Sequence, residues 1–389
     1  MDLPQALQPL HAFFMAMSFV LGCMVGSFCN VCICRWPSGE SVISPRSRCP
    51  KCRNAIAWYD NIPLLSWLLL GAKCRHCSLP ISWQYPLVEA VTGVLFLLVY
   101  WRFGFTPATP IYMALSAGLV IATFQDLSDW TIPNEITLPG MLAGLGVALI
   151  GMTYDKSMLR VLHPLDALDG MALAAFLICL LDGVTVLLLK KPGMGFGDVK
   201  LLAMLGAFLG WKGVIGTLLI ASVLGSVIGV TMIFVFRAKG EAKEEDEEAP
   251  AEPEYPPVDS LGAIVLGGCA LYLLVRVAVA LQFSQSLPPE LFRPLLAGAI
   301  AIAALAGIIS GFSLYIYQQQ QRERKHKSGA QEEAVNEEEE EMITLHGHYL
   351  PFGPYLALGG LIFLFFGPEL IRLYTTAMSA GPVSPGLFP

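Results

Sequence analysis

The sequence predicts an all-α polytopic membrane protein of about ten transmembrane helices, with a small cytoplasmic four-cysteine zinc module between the first two. Three observations carry this reading. Of 389 residues, 55% are hydrophobic and only 14% charged, where soluble domains carry about 25% charged residues. The apolar residues gather into runs of the length that crosses a bilayer core, about 20 residues each. Two Cys-x-x-Cys pairs stand together in the polar stretch between the first and second runs. The shortage of charge excludes a soluble cytosolic enzyme, and the hydrophobicity excludes a disordered chain.

The runs fall at roughly 12–34, 86–104, 107–125, 135–153, 167–189, 199–211, 213–236, 260–282, 294–317 and 350–371. The first is expected to remain as a span. Residues before His11 include Asp2 but no Lys or Arg, so the basic n-region of a cleavable signal peptide is missing. The sixth run is short and is expected to extend back through the glycines before Asp198, with a turn at Gly210-Trp211-Lys212-Gly213 dividing it from the seventh.

Orientation follows from the loops. With the N-terminus outside, segments 35–85, 126–134, 190–200, 237–259 and 318–349 face inward and hold 17 Lys and Arg, against 6 on the outward side. The positive-inside rule therefore favours an outside N-terminus. The formal net charge of −7 looks contrary to that rule until it is located. Stretches 238–259 and 318–349 hold 17 of the 31 acids and 6 of the 24 bases, a net of −11, so the rest of the chain carries +4. Both stretches are compositionally disordered and read as solvated linkers, with partner binding as the alternative; Gln318 to Lys327 reads as an inner anchor rather than a nucleic-acid site.

Cys49-Pro-Lys-Cys52 and Cys74-Arg-His-Cys77 are separated by 21 residues. Two such knuckles can bring four thiolates to one tetrahedral zinc, and Arg48, Lys51, Arg53, Lys73 and Arg75 beside them offset thiolate charge. Two disulfides are the competing reading, disfavoured on a reducing cytoplasmic side. Cys23, Cys29, Cys32 and Cys34 in the first run, with Cys179 and Cys269 in later ones, read as small apolar packing residues.

Acids within or at the ends of membrane spans are functional candidates, because burying them is costly. Asp126 closes the third run in Asp126-Leu-Ser-Asp129-Trp-Thr-Ile-Pro133-Asn134. Asp198 opens the sixth in Gly193-Met-Gly195-Phe-Gly197-Asp198-Val-Lys200. The charge count alone puts both on the inner side. Two carboxylates that share a proton in a partly desolvated site can activate water and protonate a leaving amine, which is the logic of aspartic proteolysis. Asp169, Asp182, His163 and Arg276 are the other polar residues in or near spans, and an Asp182–Arg276 pairing would tie the 260–282 run to the body of the chain.

These residues together resemble the type IV prepilin peptidases. The likeness begins at Gly26-Ser27-Phe28-Cys29-Asn30-Val31 and Arg35-Trp36-Pro37, and continues through the four cysteines and Tyr85-Pro-Leu-Val-Glu89-Ala-Val-Thr-Gly93. It then takes in the D-x6-PN string at Asp126, the GxGDxK string ending at Lys200, and Pro351-Phe-Gly-Pro354. It covers about 12–236 and 350–371. The resemblance implies a membrane aspartic protease with Asp126 and Asp198 as its catalytic pair, cleaving the basic leader of prepilin or pseudopilin precursors after a Gly at the cytoplasmic face of the bacterial inner membrane. It further implies methylation of the new N-terminal residue by S-adenosylmethionine, an activity associated with forms that keep the cysteine module. No glycine-rich nucleotide fingerprint locates the methyl donor, so its site residues are unknown; Asn30, Glu40 and Glu89 are candidate contacts or plain packing groups.

The resemblance also implies about eight spans, so residues 237–349 read as an insert. The expected division is a first helix at 1–34, the zinc module at 35–85, a peptidase core at 86–236, the insert at 237–349, and a final helix and tail at 350–389. A peptidase without methylation, a zinc-regulated transporter and a non-catalytic secretion assembly protein are the alternatives. The transporter lacks support from internal repeats or mid-membrane acids. Neither the oligomeric state nor the particular pilin system is written in the sequence.

Overall fold

Among the described residues, helices account for nearly all regular structure. The computed structural model describes residues 8–152, 159–161, 163–189, 194–238, 268, 269, 272, 275, 276 and 351–379. The helices are α1 (Gln8–Arg35), a short α2 (Leu65–Leu69), α3 (Gln84–Phe103), α4 (Ala108–Asp129), α5 (Asn134–Gly151), α6 (Pro164–Leu189), α7 (Phe196–Ala238) and α8 (Gly353–Ser379). All but α2 are long and apolar enough to cross a membrane, giving seven such helices among the described residues. Of the ten expected runs, 260–282 and 294–317 lie outside the described residues, apart from five helical positions between Gly268 and Arg276.

Proline and glycine set the helix limits. Pro86 and Pro110 sit in the first turns of α3 and α4, where a missing N–H costs no helical hydrogen bond. Pro164 opens α6, and the His163 ring accepts a hydrogen bond from the Leu165 amide at 3.2 Å, so this histidine caps the helix. The sixth and seventh runs both belong to α7. The break between them is at Gly210 alone, with φ 69° and ψ −177°, a left-handed φ that suits glycine. The expected four-residue turn is therefore one residue, and the backward extension stops at Phe196.

The chain divides into two compact units, one comprising residues 1–140, 154–159 and 357–389, the other 141–153 and 160–356. In the first, α1 packs closely along α3, and α4 joins both. A Cβ on Gly22 would lie 2.7 Å from Gly93 Cα, and one on Gly26 would lie 2.7 Å from Glu89 Cα. Small residues four apart thus let two backbones touch, as in membrane helix pairs. The core beside this crossing includes Cys29, Cys32, Ile33, Val88, Val120 and Phe124, so two of the cysteines in the first run serve as packing residues.

In the second unit α6 packs along α7. A Cβ on Gly206 would lie 2.6 Å from the Gly170 carbonyl carbon, and one on Gly144 2.6 Å from Ala207 Cβ. Leu201, Leu202, Met204 and Leu205 are fully buried.

Candidate active site and zinc module

Asp126 lies in the last turn of α4. The helix stops there because Trp130 turns left-handed (φ 55°, ψ 28°) and its amide donates to the Asp126 carbonyl at 3.2 Å. Two residues on, Ile132 and Pro133 are buried, and the Pro133 carbonyl accepts both the amide and the hydroxyl of Thr137 at 3.2 Å, which starts α5. The D-x6-PN string is thus a helix end, a left-handed corner and a helix start. Burial separates the two acids of the string: Asp126 is 7% exposed, whereas Asp129 faces outward.

Asp198 lies in the first turn of α7 and is also 7% exposed. Its amide donates to the Gly195 carbonyl at 3.0 Å, and its Oδ2 accepts from the Gly195 amide at 3.3 Å. The side chain thus supplies the backward half of a capping box, the third helical residue reaching back to the cap amide, while a backbone carbonyl takes the part of the missing cap side chain. The Lys200 ammonium lies over the Phe196 ring, 5.7 Å from its centroid. The preceding amide, of Met194, donates to Asp182 Oδ1 at 3.1 Å. Asp182 is 1% exposed on α6. Sequence reasoning marked Asp182 as a polar residue in a span but missed this role, whose signal is the short return from α6 to the GxGD string.

Asp126 belongs to the first unit and Asp198 to the second. Each is a buried carboxylate at a helix terminus, able to exchange a proton with a reacting group.

The expected pairing of Arg276 with Asp182 is not what forms. Arg276 makes a two-pronged ion pair with Asp169, Nε to Oδ1 at 2.9 Å and Nη2 to Oδ2 at 2.8 Å, and the Tyr272 hydroxyl donates to Asp169 Oδ1 at 3.0 Å. Helical phase explains the choice. Asp169 and Asp182 are thirteen residues apart, which at about 100° per residue puts them roughly 140° apart around α6. Asp169 takes the 260–282 segment and Asp182 takes the GxGD loop.

The four cysteines converge. The sulfurs of Cys49, Cys52, Cys74 and Cys77 all lie within 4.8 Å of one another, with Cys49 and Cys77 4.0 Å apart. A zinc with Zn–S near 2.3 Å needs sulfurs about 3.8 Å apart, so the cluster fits that ion. No strand is present among the described residues, only single bridges from Arg48 to Ala55 and from Lys73 to Pro80. The two knuckles are copies of each other. In each, the amide of the first cysteine (Cys49, Cys74) is held by the carbonyl of Asn54 or Leu79 at 2.9 Å. The residue after the second cysteine (Arg53, Ser78) has φ of 58° or 57°. The backbone amides of Cys77 and His76 hold the Cys74 thiol down at about 6, while, against the lowering pull of the Leu79 amide, burial and the sulfurs of Cys74, Cys52 and Cys49 push Cys77 up to about 11, a mutual repulsion that a bound cation would relieve. Asp60 braces the second knuckle, accepting from Arg75 Nε at 2.8 Å and Nη2 at 2.6 Å. Arg75 thereby keeps the Asp60 carboxyl below its ordinary range.

The candidate methyl-donor contacts are engaged in holding structure. Asn30 Nδ2 donates to the Tyr85 carbonyl at 3.1 Å, Glu89 Oε2 accepts from the Leu64 amide at 2.8 Å, and Glu40 pairs with Arg48 at 3.7 Å on the surface.

The family model for the bacterial peptidase A24 N-terminal domain matches residues 20–103, and that for the type IV leader peptidase family matches residues 113–230. A prepilin leader peptidase/N-methyltransferase of Myxococcus xanthus is 36% identical over 376 residues, covering 96% of this chain and 95% of that protein. The chain belongs to the type IV leader peptidase family. Proteins of the same name from Pseudomonas aeruginosa (33% identical, 57% of this chain and 81% of that one) and Neisseria gonorrhoeae (37%, 58% and 85%) are also similar. No solved structure matches. As a family member with several long apolar helices, the chain is a multi-pass protein of the inner membrane. The Myxococcus xanthus alignment covers too much of the chain to omit the 113 residues of 237–349. That relative therefore has a counterpart to at least part of residues 237–349.

Proposed function

We propose that the protein is a membrane aspartic endopeptidase that removes the leader of type IV prepilin or pseudopilin precursors at the cytoplasmic face and then N-methylates the new N-terminal residue. The observation that carries the proposal is the matched setting of Asp126 and Asp198. Each is buried at a helix terminus inside its own motif, and span counting from an outside N-terminus assigns both to the inner side. Acting as a pair, one carboxylate removes a proton from the attacking water while the other protonates the departing amine. The leader then leaves as a carboxylic acid and the mature chain gains a free amino group. That amino group is the methyl acceptor, and S-adenosylmethionine supplies the methyl group.

In this reading ten spans cross the membrane, with 86–236 as the peptidase core and 237–349 as an insert. Cys49, Cys52, Cys74 and Cys77 hold one structural zinc that joins the two knuckles of the 35–85 module. Asp126→Asn and Asp198→Asn test the proposal in purified protein given a precursor peptide and labelled S-adenosylmethionine. Each variant is expected to leave the precursor uncut, while the wild-type product loses the leader mass and gains one methyl group. Processing that persists in both variants would refute the assignment.

A further inference from the structure

We propose that the segment Pro63–Leu70, with Trp58 at its edge, is an interfacial membrane anchor whose leucines lie among lipid chains. This rests on α1 and α3 spanning the bilayer and not on the peptidase chemistry.

The first observation is polarity turned inside out. Seven of the eight residues in Pro63-Leu-Leu-Ser-Trp-Leu-Leu-Leu70 are apolar, and α2 places its one polar side chain inward. Ser66 is buried, donating its hydroxyl to the Tyr59 carbonyl at 3.0 Å and accepting from the Ile62 amide at 2.9 Å. Trp67 also turns in, its indole N–H donating to the Ile81 carbonyl at 3.4 Å. Leu65, Leu68 and Leu69 point out, Leu69 with 84% of its surface exposed, and Trp58 is 81% exposed. A helix in water puts leucines in and serine out.

The second observation fixes depth. The Leu64 amide donates to Glu89 Oε2 at 2.8 Å, and Glu89 is the sixth residue of α3, about 7.5 Å below its start at 1.5 Å per residue. Side chains on a helix lean toward its N-terminus, so Leu64 sits level with the first two turns of α3. Those turns open a 20-residue helix, which is just long enough to cross the hydrocarbon core. The outward leucines are therefore at the depth of headgroups and upper acyl chains.

Charge agrees. Segment 35–85 holds seven Lys and Arg against two acids, and stays positive even with four thiolates and a divalent zinc. A basic module that carries an aromatic-edged apolar face suits an anionic lipid surface. Lipid thus explains the exposure, the depth and the charge together, whereas a second copy of the same basic surface would be repelled.

The test places the photo-crosslinker p-benzoylphenylalanine at position 69, and separately at exposed position 54 in the first knuckle, in the full-length protein in its membrane. Irradiation is expected to add the mass of a phospholipid to the peptide carrying position 69 and not to that carrying position 54. A crosslink at 69 to a second copy or to a precursor peptide, or no lipid adduct there, would overturn the proposal. Fluorescence in vesicles of acyl-brominated lipid supplies a second measurement with the leucines intact. Trp58→Phe is expected to remove a quenched component from the wild-type signal, and a Trp58 contribution unaffected by bromine would equally refute the anchor.

Discussion

Asp182 on α6 accepts the Met194 backbone amide at 3.1 Å, one residue before the Gly195 amide turns to Asp198. Two successive amides of the GxGD loop are thus held by two buried carboxylates. One carboxylate belongs to the proposed chemistry and the other, 1% exposed, to the support beneath it. Asp182 is a positioning residue, acting on Asp198 through the loop.

Replacing Asp182 separates support from chemistry. Asp182→Ala leaves a part-buried amide without its acceptor, a cost of about 1 kcal/mol, and frees the loop that aims Asp198. Misplacing a catalytic group by about 1 Å can cost roughly 100-fold in rate. In precursor-cleavage kinetics, kcat is expected to fall on that order with KM nearly unchanged. Asp182→Asn keeps an acceptor oxygen and is expected to recover most of the rate. Equal loss in both variants would show that the negative charge, and not the hydrogen bond, is what matters.

Gly26 is expected to tolerate no side chain. Its Cβ would sit 2.7 Å from Glu89 Cα and 3.0 Å from the Val88 carbonyl, both backbone atoms that cannot swing aside. Gly26→Ala should therefore lower stability by about 1–3 kcal/mol, the usual cost of overpacking, and disturb the Glu89–Leu64 hydrogen bond. Gly146→Ala on α5 meets nothing within 4 Å and should gain up to about 1 kcal/mol of helix propensity. Thermal unfolding of the two variants in detergent checks the contrast.

Much of this was legible in the sequence because hydrophobic length and helix-breaking residues act locally. The runs around α1, α3, α4, α5, α6 and α8, the break at Gly210 and the two knuckles all follow from residues within one element. What was missed depends on which face a residue takes and what another segment brings to it. Arg276 found Asp169 instead of Asp182, Glu89 turned out to hold a loop amide, and α2 went unnoticed because a five-residue helix has no periodicity to read. Helical phase along α6 would have separated the two aspartates in advance. Nothing local would have revealed that Glu89 meets Leu64, since that contact depends on how the module folds back on α3.

The Asp60–Arg75 pair gives the module a defined acid limit. Arg75 lowers the Asp60 carboxyl below its ordinary 3.8, so the pair's contribution to stability is fully present above that value. It is lost as pH falls through the lower folded value, where the carboxylate must take up a proton. Asp60→Asn should therefore speed amide exchange around Trp58–Asn61 at neutral pH, and the difference from wild type should hold down to the ordinary carboxylate range and close below it. Hydrogen exchange read by mass spectrometry across an acid series checks this. A gap that already closes between neutrality and mild acid would mean that a group other than Asp60 carries the effect.

The partner of Arg276 can be decided by thermodynamic coupling. The Asp169–Arg276 pair is two-pronged and only partly exposed, with side chains 18% and 32% accessible, and Tyr272 supports the same oxygen. In a double-mutant cycle on thermal unfolding, Asp169→Asn and Arg276→Gln should couple by about 0.5–3 kcal/mol, the range for directly contacting residues. Asp182→Asn and Arg276→Gln should be additive, because Asp182 is committed to Met194 on another side of α6. The charge-swapped Asp169→Arg, Arg276→Asp protein should regain part of the stability that either single change removes, since opposite charges would still face each other. Coupling at Asp182 with additivity at Asp169 would reverse the assignment and attach Arg276 to the loop that carries Asp198.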